Sequence, residues 1–352
     1  MISGETKKRP MVASLVWKLP SELHEFQAEA VKGLGYKHQF IFYNEAIPRD
    51  TDIVLIQGPY GPLSSFVRKF TDLAPRERPV LVYWFQQSLN MLYPEWGRRT
   101  LAKIFSNLHY DHGESGLLAR AIDRLWPGVL KSRGVRLGFL GDIFWLHQHD
   151  LLDNLVLSST VYADYLARCG IPSMVVPRGY HPGFGKNLKL ERDIAAVWMG
   201  KLRTKRRSRA VYWLKDELRK RGQIMHVYDG QENKFIYGKK RMEILNRAWF
   251  VLNVFFSGLT DELSIRYFVA AANGAVMLSE PSLNDYPFVP GEHFVQCPVK
   301  AMPDTILYYL EHKQEWDGIS RNMERLVQRE ITLERSVELI LKQAETQLIS
   351  RR

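Results

Sequence analysis

Apolar and polar residues alternate in blocks along the 352-residue chain. Short, almost continuously apolar runs, typical of strands buried on both faces, alternate with amphipathic stretches of helical period. The predicted strands are Met11–Val16, Gln39–Tyr43, Ile53–Gln57, Val80–Phe85, Arg136–Leu140 and Leu155–Ser158, then Ile194–Met199, Ile224–Tyr228, Trp249–Phe255 and Ala275–Ser279. The alternation runs twice and predicts an α/β protein with two doubly wound domains.

A stretch rich in proline and glycine separates the two halves of this pattern. It covers Pro177–Gly183, and such a composition favours a linker over a helix or strand. We therefore expect one domain over residues 1–180, a second over residues 181–330, and a terminal amphipathic helix over residues 331–352.

The composition is that of a globular protein. Hydrophobic residues make up 45% and charged residues 25% of the chain, which excludes a mainly disordered protein. No apolar run reaches the ~18 residues of a membrane-spanning helix, and the first residues lack the pattern of a secretory signal. Cys169 and Cys297 are the two cysteines, too few for a disulfide framework, so we expect a cytoplasmic protein.

The chain carries a large excess of positive charge. Lysine and arginine number 49 against 38 acidic residues, a formal net charge of +11. The densest basic cluster, at residues 203–209, reads Arg-Thr-Lys-Arg-Arg-Ser-Arg. Such an excess favours anionic partners, and composition leaves nucleic acid, an anionic membrane and phosphorylated small molecules open.

Several motifs of the second half resemble one enzyme family in content and order. The stretch Ser264–Glu280 is similar to the R-x-F-E-x-x-x-x-G-x-x-x-L segment of CgeB-like glycosyltransferases, a branch of the GT-B class. Phe288–Glu292 resembles the family's F-x-x-G-x-E element, and Trp198–Gly200 resembles the first strand and phosphate loop of its second domain. The resemblance is good over roughly residues 150–325 and weak before them.

This resemblance implies a GT-B fold, in which two Rossmann-like domains face each other across a cleft. The second domain would bind a nucleoside-diphosphate sugar as co-substrate, with UDP, GDP and dTDP not distinguished, and the first would present an unidentified acceptor. We expect no tightly bound cofactor and no metal. The last helix often crosses back onto the first domain in such folds, and residues 331–352 are long enough to do so.

A diphosphate needs cations and backbone N–H groups around it. Gly200 ends a predicted strand and lets a ligand approach the backbone closely. The basic residues that follow it directly are Lys201, Arg203 and Lys205. Together these four residues are a candidate diphosphate cradle, and the alternative is a solvated basic face of the next helix.

The segment that carries the resemblance supplies further donor-binding candidates. Arg266, at the start of a predicted helix, could stabilise the departing nucleoside diphosphate, or it could form a salt bridge to a nearby carboxylate. The remaining donor-binding candidates are Asn253, Asp261, Glu262 and Gly274. One position departs from the family: Val269 replaces the glutamate that typically binds the ribose diol, and valine cannot accept a hydrogen bond. Either neighbouring acid could replace it, the nucleotide could be held differently, or donor binding could be lost.

Two mechanisms remain open for the transfer step. Related retaining enzymes have no established protein nucleophile, and the leaving phosphate can help to deprotonate the acceptor. An inverting enzyme needs a base in the first domain. The candidates for that catalytic base are His147, His149 and Asp150. A polar start of a helix with an exposed carboxylate explains these three residues equally well.

Two other polar clusters of the first half are weaker candidates. A glycine-rich loop that follows a predicted strand could line the acceptor side, although a bare turn needs no function. Its residues are Gly58, Tyr60 and Gly61. The run His109–Glu114 has ligand-type side chains, but its spacing does not match a metal motif.

Three alternatives to an active transferase follow from the same residues. Val269 favours a catalytically inactive binding protein derived from the GT-B fold. The net charge and the 203–209 cluster suggest nucleic-acid binding, which no recognised motif supports. The charge could instead serve peripheral contact with the inner, anionic face of a membrane.

Overall fold

The computed structural model describes residues 9–17, 19–58, 63–87, 95–106, 108, 135–202, 204–255 and 264–351. By their internal contacts the residues form two compact units. The first unit contains Met1–Val176 together with Ser336–Arg352, and the second contains Pro177–Arg335. Each unit is built around a parallel sheet.

The sheet of the first unit has six parallel strands. They are β1 Met11–Val16, β2 Lys37–Phe42, β3 Ile53–Gly58, β4 Val80–Phe85, β5 Asn154–Leu157 and β6 Met174–Val175. Their order across the sheet is β2-β1-β3-β4-β5-β6. Every residue of β3 and β4 is buried, which explains why these strands read as continuous apolar runs.

Helices cover this sheet. They are α1 Glu22–Gly33, α2 Leu63–Thr71, α3 Glu95–Phe105, α4 Val135–Gln148 and α5 Thr160–Arg168. The main apolar core of the unit joins side chains of α2 and α5 to one face of the sheet, with Phe66, Tyr83 and Tyr165 among its largest members.

The prediction of a strand at Arg136–Leu140 is wrong, because these residues belong to α4. A helix buried on most sides is apolar all round and reads like a buried strand in sequence. Two glycines allow α4 to pack closely on α3. A Cβ on Gly138 would lie 2.6 Å from the carbonyl oxygen of Phe105, and one on Gly141 would overlap the carbonyl of Ala102.

The sheet of the second unit has five parallel strands. They are β7 Ile194–Met199, β8 Met225–Tyr228, β9 Ala248–Asn253, β10 Val276–Ser279 and β11 Val295–Gln296. Their order is β11-β10-β9-β7-β8. The central strand β9 therefore lies between β7 and β10, which places the ends of these three strands side by side.

Helices also surround the second sheet. They are α6 Lys205–Lys220, α7 Gly238–Arg247, α8 Arg266–Ala272, α9 Met302–Glu311 and α10 Lys313–Arg329. The core includes Trp198 from β7 and Phe250 from β9, which pack with apolar side chains of α6 and α9.

The chain ends in α11 Leu333–Arg351, most of which is counted with the first unit. Its apolar residues Val337, Ile340, Leu341 and Ala344 are buried. At its far end Arg351 forms an ion pair with Asp153. No helix in the described ranges is both long and apolar enough to cross a membrane.

Candidate functional site

Three neighbouring strands of the second sheet end in polar or glycine residues at one edge. Gly200 follows β7, Asn253 ends β9, and Ser279 and Glu280 end and follow β10. Asn253 and Ser279 are direct partners in the sheet. Ligands of doubly wound sheets bind outside the carboxyl ends of the strands, so this edge is the candidate site.

Gly200 turns the chain at the end of β7 with a backbone φ of +134°. Side chains other than glycine rarely adopt this conformation. The N–H of Gly200 donates to the carbonyl of Tyr228 at 3.0 Å. A Cβ at this position would lie 2.7 Å from Nη2 of Arg266, so the absence of a side chain gives Arg266 its place.

Arg266 holds its guanidinium over the ends of β7 and β9. Its Nε donates to the carbonyl of Met199 at 2.9 Å, and its Nη1 donates to Oδ1 of Asn253 at 3.2 Å and Oγ of Ser264 at 3.3 Å. The guanidinium carbon lies 4.6 Å from the ring centre of Trp198. These contacts fix a permanent positive charge beside Gly200.

A chain of buried polar groups supports Arg266 from below. Nδ2 of Asn253 donates to Oγ of Ser279 at 3.0 Å, and that hydroxyl donates to the carbonyl of Glu280 at 2.9 Å. Tyr267 hydrogen-bonds to Asn253 and Ser279, and burial raises the pKa of its phenol. Asn253 thus acts at this edge by orienting Arg266.

Lys201 and Lys205 bring further positive charge to the same edge. Both are exposed, and neither forms an ion pair with another described residue. Lys205 begins α6, whose N-terminus is capped by Thr204 through the backbone N–H of Arg207 at 3.3 Å. A helix N-terminus attracts anions, so cations and backbone donors converge beside Gly200. Arg203 lies outside the described residues.

Arg206 and Glu280 form an ion pair at this edge that the sequence analysis missed. Glu280 also accepts from the backbone N–H of Phe255 at 2.7 Å, and Arg206 donates to the carbonyl of Phe255 at 2.9 Å. The pair fastens α6 to the ends of β9 and β10. The partners are 74 positions apart, and the one sequence signal for them is an acid directly after a buried strand.

Replacing Arg206 with methionine should destabilise the protein more than replacing Glu280 with glutamine. The Glu280 side chain is 8% exposed and that of Arg206 42%, so the first change leaves a buried charge unpaired, at a cost of about 3 kcal/mol. The second change leaves a cation that water can reach, at a cost of about 1 kcal/mol. Urea unfolding measures both variants, and equal losses would contradict this assignment.

Gly274 is not at the candidate site. It precedes β10, at the opposite edge of the sheet from Gly200. Its carbonyl accepts from Nη2 of Arg192 at 2.6 Å and from Oγ of Ser320 at 2.8 Å. The predicted donor-binding role therefore has no geometric support, because Gly274 serves the turn between α8 and β10.

Replacing Gly274 with alanine should lower stability and leave nucleotide affinity unchanged. Its φ is +66°, and a Cβ would overlap the Asn187 amide. We expect a loss of about 2 kcal/mol in the free energy of unfolding. Urea unfolding and UDP titration measure the two quantities. Weakened UDP binding by the folded variant would return Gly274 to the site.

The candidate base residues lie at the amino edge of the first sheet. His147 is in the last turn of α4, and all three precede β5. The His149 ring stacks on Trp145 at 4.0 Å between ring centres, and its Nδ1 is 2.8 Å from the Trp145 carbonyl oxygen. Asp150 has a φ of +51°. Because ligands bind at the other edge, this geometry does not suit a base, and these residues form a helix end.

Of the acceptor-side candidates, Gly58 is described. It ends β3, at the carboxyl edge of the first sheet, and its carbonyl accepts from the N–H of Gln86 at 2.8 Å. Tyr60, Gly61, Asp261, Glu262 and His109–Glu114 lie outside the described residues. Within the described ranges no group of three or more His, Cys, Asp or Glu side chains could hold a metal ion.

Val269 lies half-buried in α8. This helix reads Arg-Tyr-Phe-Val-Ala-Ala-Ala and contains no acidic residue. Glu280, the acid at the end of β10, is already engaged with Arg206. Neither α8 nor an uncommitted Glu280 therefore supplies the carboxylate that the family uses for the ribose.

Residues 203–342 match the model of a family described as glycosyl transferase-like. The matched range contains Asn253, Arg266 and Glu280. A comparison with curated protein sequences gives no match.

The chain has the fold of solved GT-B glycosyltransferases. Anabaena Alr3699/HepE in complex with UDP and glucose is similar at a TM-score of 0.61 and 9% identity, over 96% of this chain and 100% of that chain. Sucrose-phosphate synthase (tll1590) from Thermosynechococcus elongatus is similar at a TM-score of 0.62 and 11% identity, over 98% and 100%. S. aureus TarM, in a complex that includes UDP, gives 0.55 and 9%, over 93% and 58%. These likenesses confirm the predicted GT-B fold.

Proposed function

We propose that this protein is a glycosyltransferase that moves a sugar from a nucleoside-diphosphate sugar to an acceptor hydroxyl. The observation that carries the proposal is the Arg266 guanidinium, held beside the glycine turn at Gly200. The match to a glycosyl transferase-like family over residues 203–342 supports it.

The chemistry asks for positive charge where the leaving group forms. The bond between the sugar C1 and the diphosphate oxygen breaks, the acceptor oxygen bonds to C1, and the acceptor proton is released. Negative charge then grows on the diphosphate, and Arg266 and Lys201 would stabilise it together with the first N–H groups of α6. Because Arg266 is already held in place, little reorganisation would be needed.

A UDP-sugar is the first donor to test. Structures similar to this chain have been solved with UDP and with UDP-glucose. We propose that the ribose is held without a carboxylate from α8, since Val269 occupies that position. Backbone groups or neutral side chains would then contact the ribose hydroxyls, as expected if this chain departs from the CgeB-like branch at this point.

We propose that transfer occurs with retention. The predicted base residues of an inverting enzyme lie at the amino edge of the first sheet. The central strands of that sheet end near Gln57, Gln86 and Ser158 rather than near acids. The leaving phosphate would then take the acceptor proton, and the acceptor would lie on the side of Gly58.

A thermal-shift screen with UDP, GDP, dTDP, ADP and CMP tests donor binding. A ligand at a hundredfold excess over its Kd stabilises the folded state by about 2.7 kcal/mol, so one nucleotide should raise the Tm clearly. NMR of UDP-glucose hydrolysis should then show the α-anomer of glucose forming first. No shift with any nucleotide would overturn the proposal, and binding without turnover of any nucleotide sugar would favour an inactive binding protein.

A further inference from the structure

A compact basic surface of the second unit lies outside the residues of the donor site. Residues 233–242, which we call the basic turn, contain four cations and no acidic residue. The cations are Lys234, Lys239, Lys240 and Arg241. The basic turn connects β8 to α7 and includes the start of that helix. It therefore lies on the same edge of the sheet as Gly200.

The basic turn is held firmly against the unit. Nδ2 of Asn233 donates to the carbonyl of Val227 at 2.9 Å, and the Asn233 carbonyl accepts from the N–H of Gly230 at 2.9 Å. Phe235 covers Gly230 so closely that a Cβ there would lie 2.7 Å from its ring. Ile236 packs on a buried apolar cluster. The fold therefore presents the remaining side chains of the turn in a fixed position.

Tyr237 points into solvent from this fixed turn. It is 69% exposed, although Phe235 and Ile236 before it pack inward. A large aromatic side chain in water is unfavourable unless a partner covers it. Tyrosine has an apolar ring and a polar tip, and this combination suits the interface between lipid and water.

The lysines of the basic turn are not neutralised. Lys234, Lys239 and Lys240 are exposed and form no ion pair with any described residue. The nearest acids in sequence have other partners, since Glu232 pairs with Lys215 and Glu243 lies 4.0 Å from Arg247. The turn therefore carries positive charge for an external anion.

We infer that the basic turn docks the protein on an anionic membrane surface. The charges of the three lysines complement a layer of anionic headgroups, and Tyr237 fits the interfacial region beneath them. Lysine is a compact point charge that needs no fixed partner geometry, which suits a fluid lipid surface. Specific nucleic-acid recognition relies more on the planar fork of arginine, and Arg241 is half-buried.

Docking through this turn would bring one edge of the second sheet towards the lipid. Gly200 and the end of β8 are joined by a hydrogen bond at 3.0 Å, so the donor edge would face the membrane side. The inference does not depend on sugar transfer, because vesicle binding is measured without any nucleotide.

Co-sedimentation with lipid vesicles tests the inference on the full chain. The protein should sediment with phosphatidylcholine vesicles that contain about one-third phosphatidylglycerol, stay in solution with pure phosphatidylcholine, and be released by high salt. Changing Lys234, Lys239 and Lys240 to serine should lower vesicle affinity on the order of 100-fold. Tyr237→Ser should lower it by about 5-fold, because less apolar surface enters the interface.

A matched control removes the same number of charges elsewhere on the second unit. Lys300, Arg325 and Arg329 are exposed, and changing them to serine should leave vesicle affinity within about twofold of the unchanged protein, since they lie outside the turn. Both triple variants should unfold at the Tm of the unchanged protein, which separates docking from folding.

Three results would overturn the inference. The unchanged protein could remain in the supernatant with anionic vesicles. The variant at the basic turn could sediment as well as the control variant. Lastly, the basic turn could be required for RNA binding in a gel shift while vesicles are not bound, which would make the turn a nucleic-acid site.

Discussion

Replacing Arg266 with alanine is expected to raise the Kd of UDP by about 30-fold. A hydrogen bond between a charged donor and a charged acceptor contributes about 2 kcal/mol, which corresponds to that change in affinity. Arg266 is positioned for this role by the Met199 carbonyl and by Asn253. Isothermal titration of UDP into both proteins measures the difference.

Arg219→Ala is the matched control for Arg266→Ala. Arg219 lies in the last turn of α6, far along the helix from Gly200, and its side chain is 75% exposed. The control loses the same charge and should bind UDP as the unchanged protein does. Arg266→Lys should recover part of the affinity, since a lysine keeps the charge and loses the fork that bonds to β7 and β9. Equal UDP affinity of the two alanine variants would remove Arg266 from the donor site.

Replacing Gly200 with alanine is expected to abolish measurable UDP binding in a protein that still folds. The φ of +134° strains any residue with a side chain, at a cost of about 2 kcal/mol. The new Cβ would also displace the Arg266 guanidinium, whose Nη2 would be 2.7 Å away. The variant therefore loses the open backbone and the placed cation together. UDP titration and circular dichroism measure binding and folding.

Gly222→Ala separates backbone strain from the effect on Arg266. Gly222 follows α6 with a φ of +74°, and a Cβ there would meet nothing within 4 Å. This control should lose stability by a similar amount and keep its UDP affinity. If Gly200→Ala bound UDP as tightly as Gly222→Ala, a close approach of ligand to Gly200 would be wrong.

The strands were predictable where burial is continuous. The predictions for β1, β4 and β7 coincide with the observed bounds, because strands buried on both faces are apolar throughout. The same rule failed for α4, whose apolar surface comes from burial on several sides. Residue type alone does not separate these two cases, and the length of the apolar run is the better guide.

The candidate site was predictable in part. The positions of Gly200 and Arg266 in their motifs pointed to a shared role, yet Arg266 contacts Met199 across 67 positions of sequence, and no local pattern predicts that bond. Gly274 shows a different limit. A glycine beside a strand signals a turn, and whether it precedes or follows the strand decides at which edge of the sheet it lies.

The pair of Arg206 and Glu280 shows why long-range partners escape such reasoning. Within the sequence Arg206 is one of several cations in a basic run, and nothing there separates it from Lys205. The structure separates them, because Arg206 reaches the ends of β9 and β10 while Lys205 stays exposed. One basic cluster thus divides into a structural cation and a cation available to a ligand.

A crystal structure of the protein with UDP bound would locate the diphosphate. We expect phosphate oxygens within hydrogen-bonding distance of the Arg266 guanidinium and of backbone N–H groups near Gly200, at the carboxyl ends of β7 and β9. UDP bound at another place in the chain, with this edge empty, would contradict the proposed site.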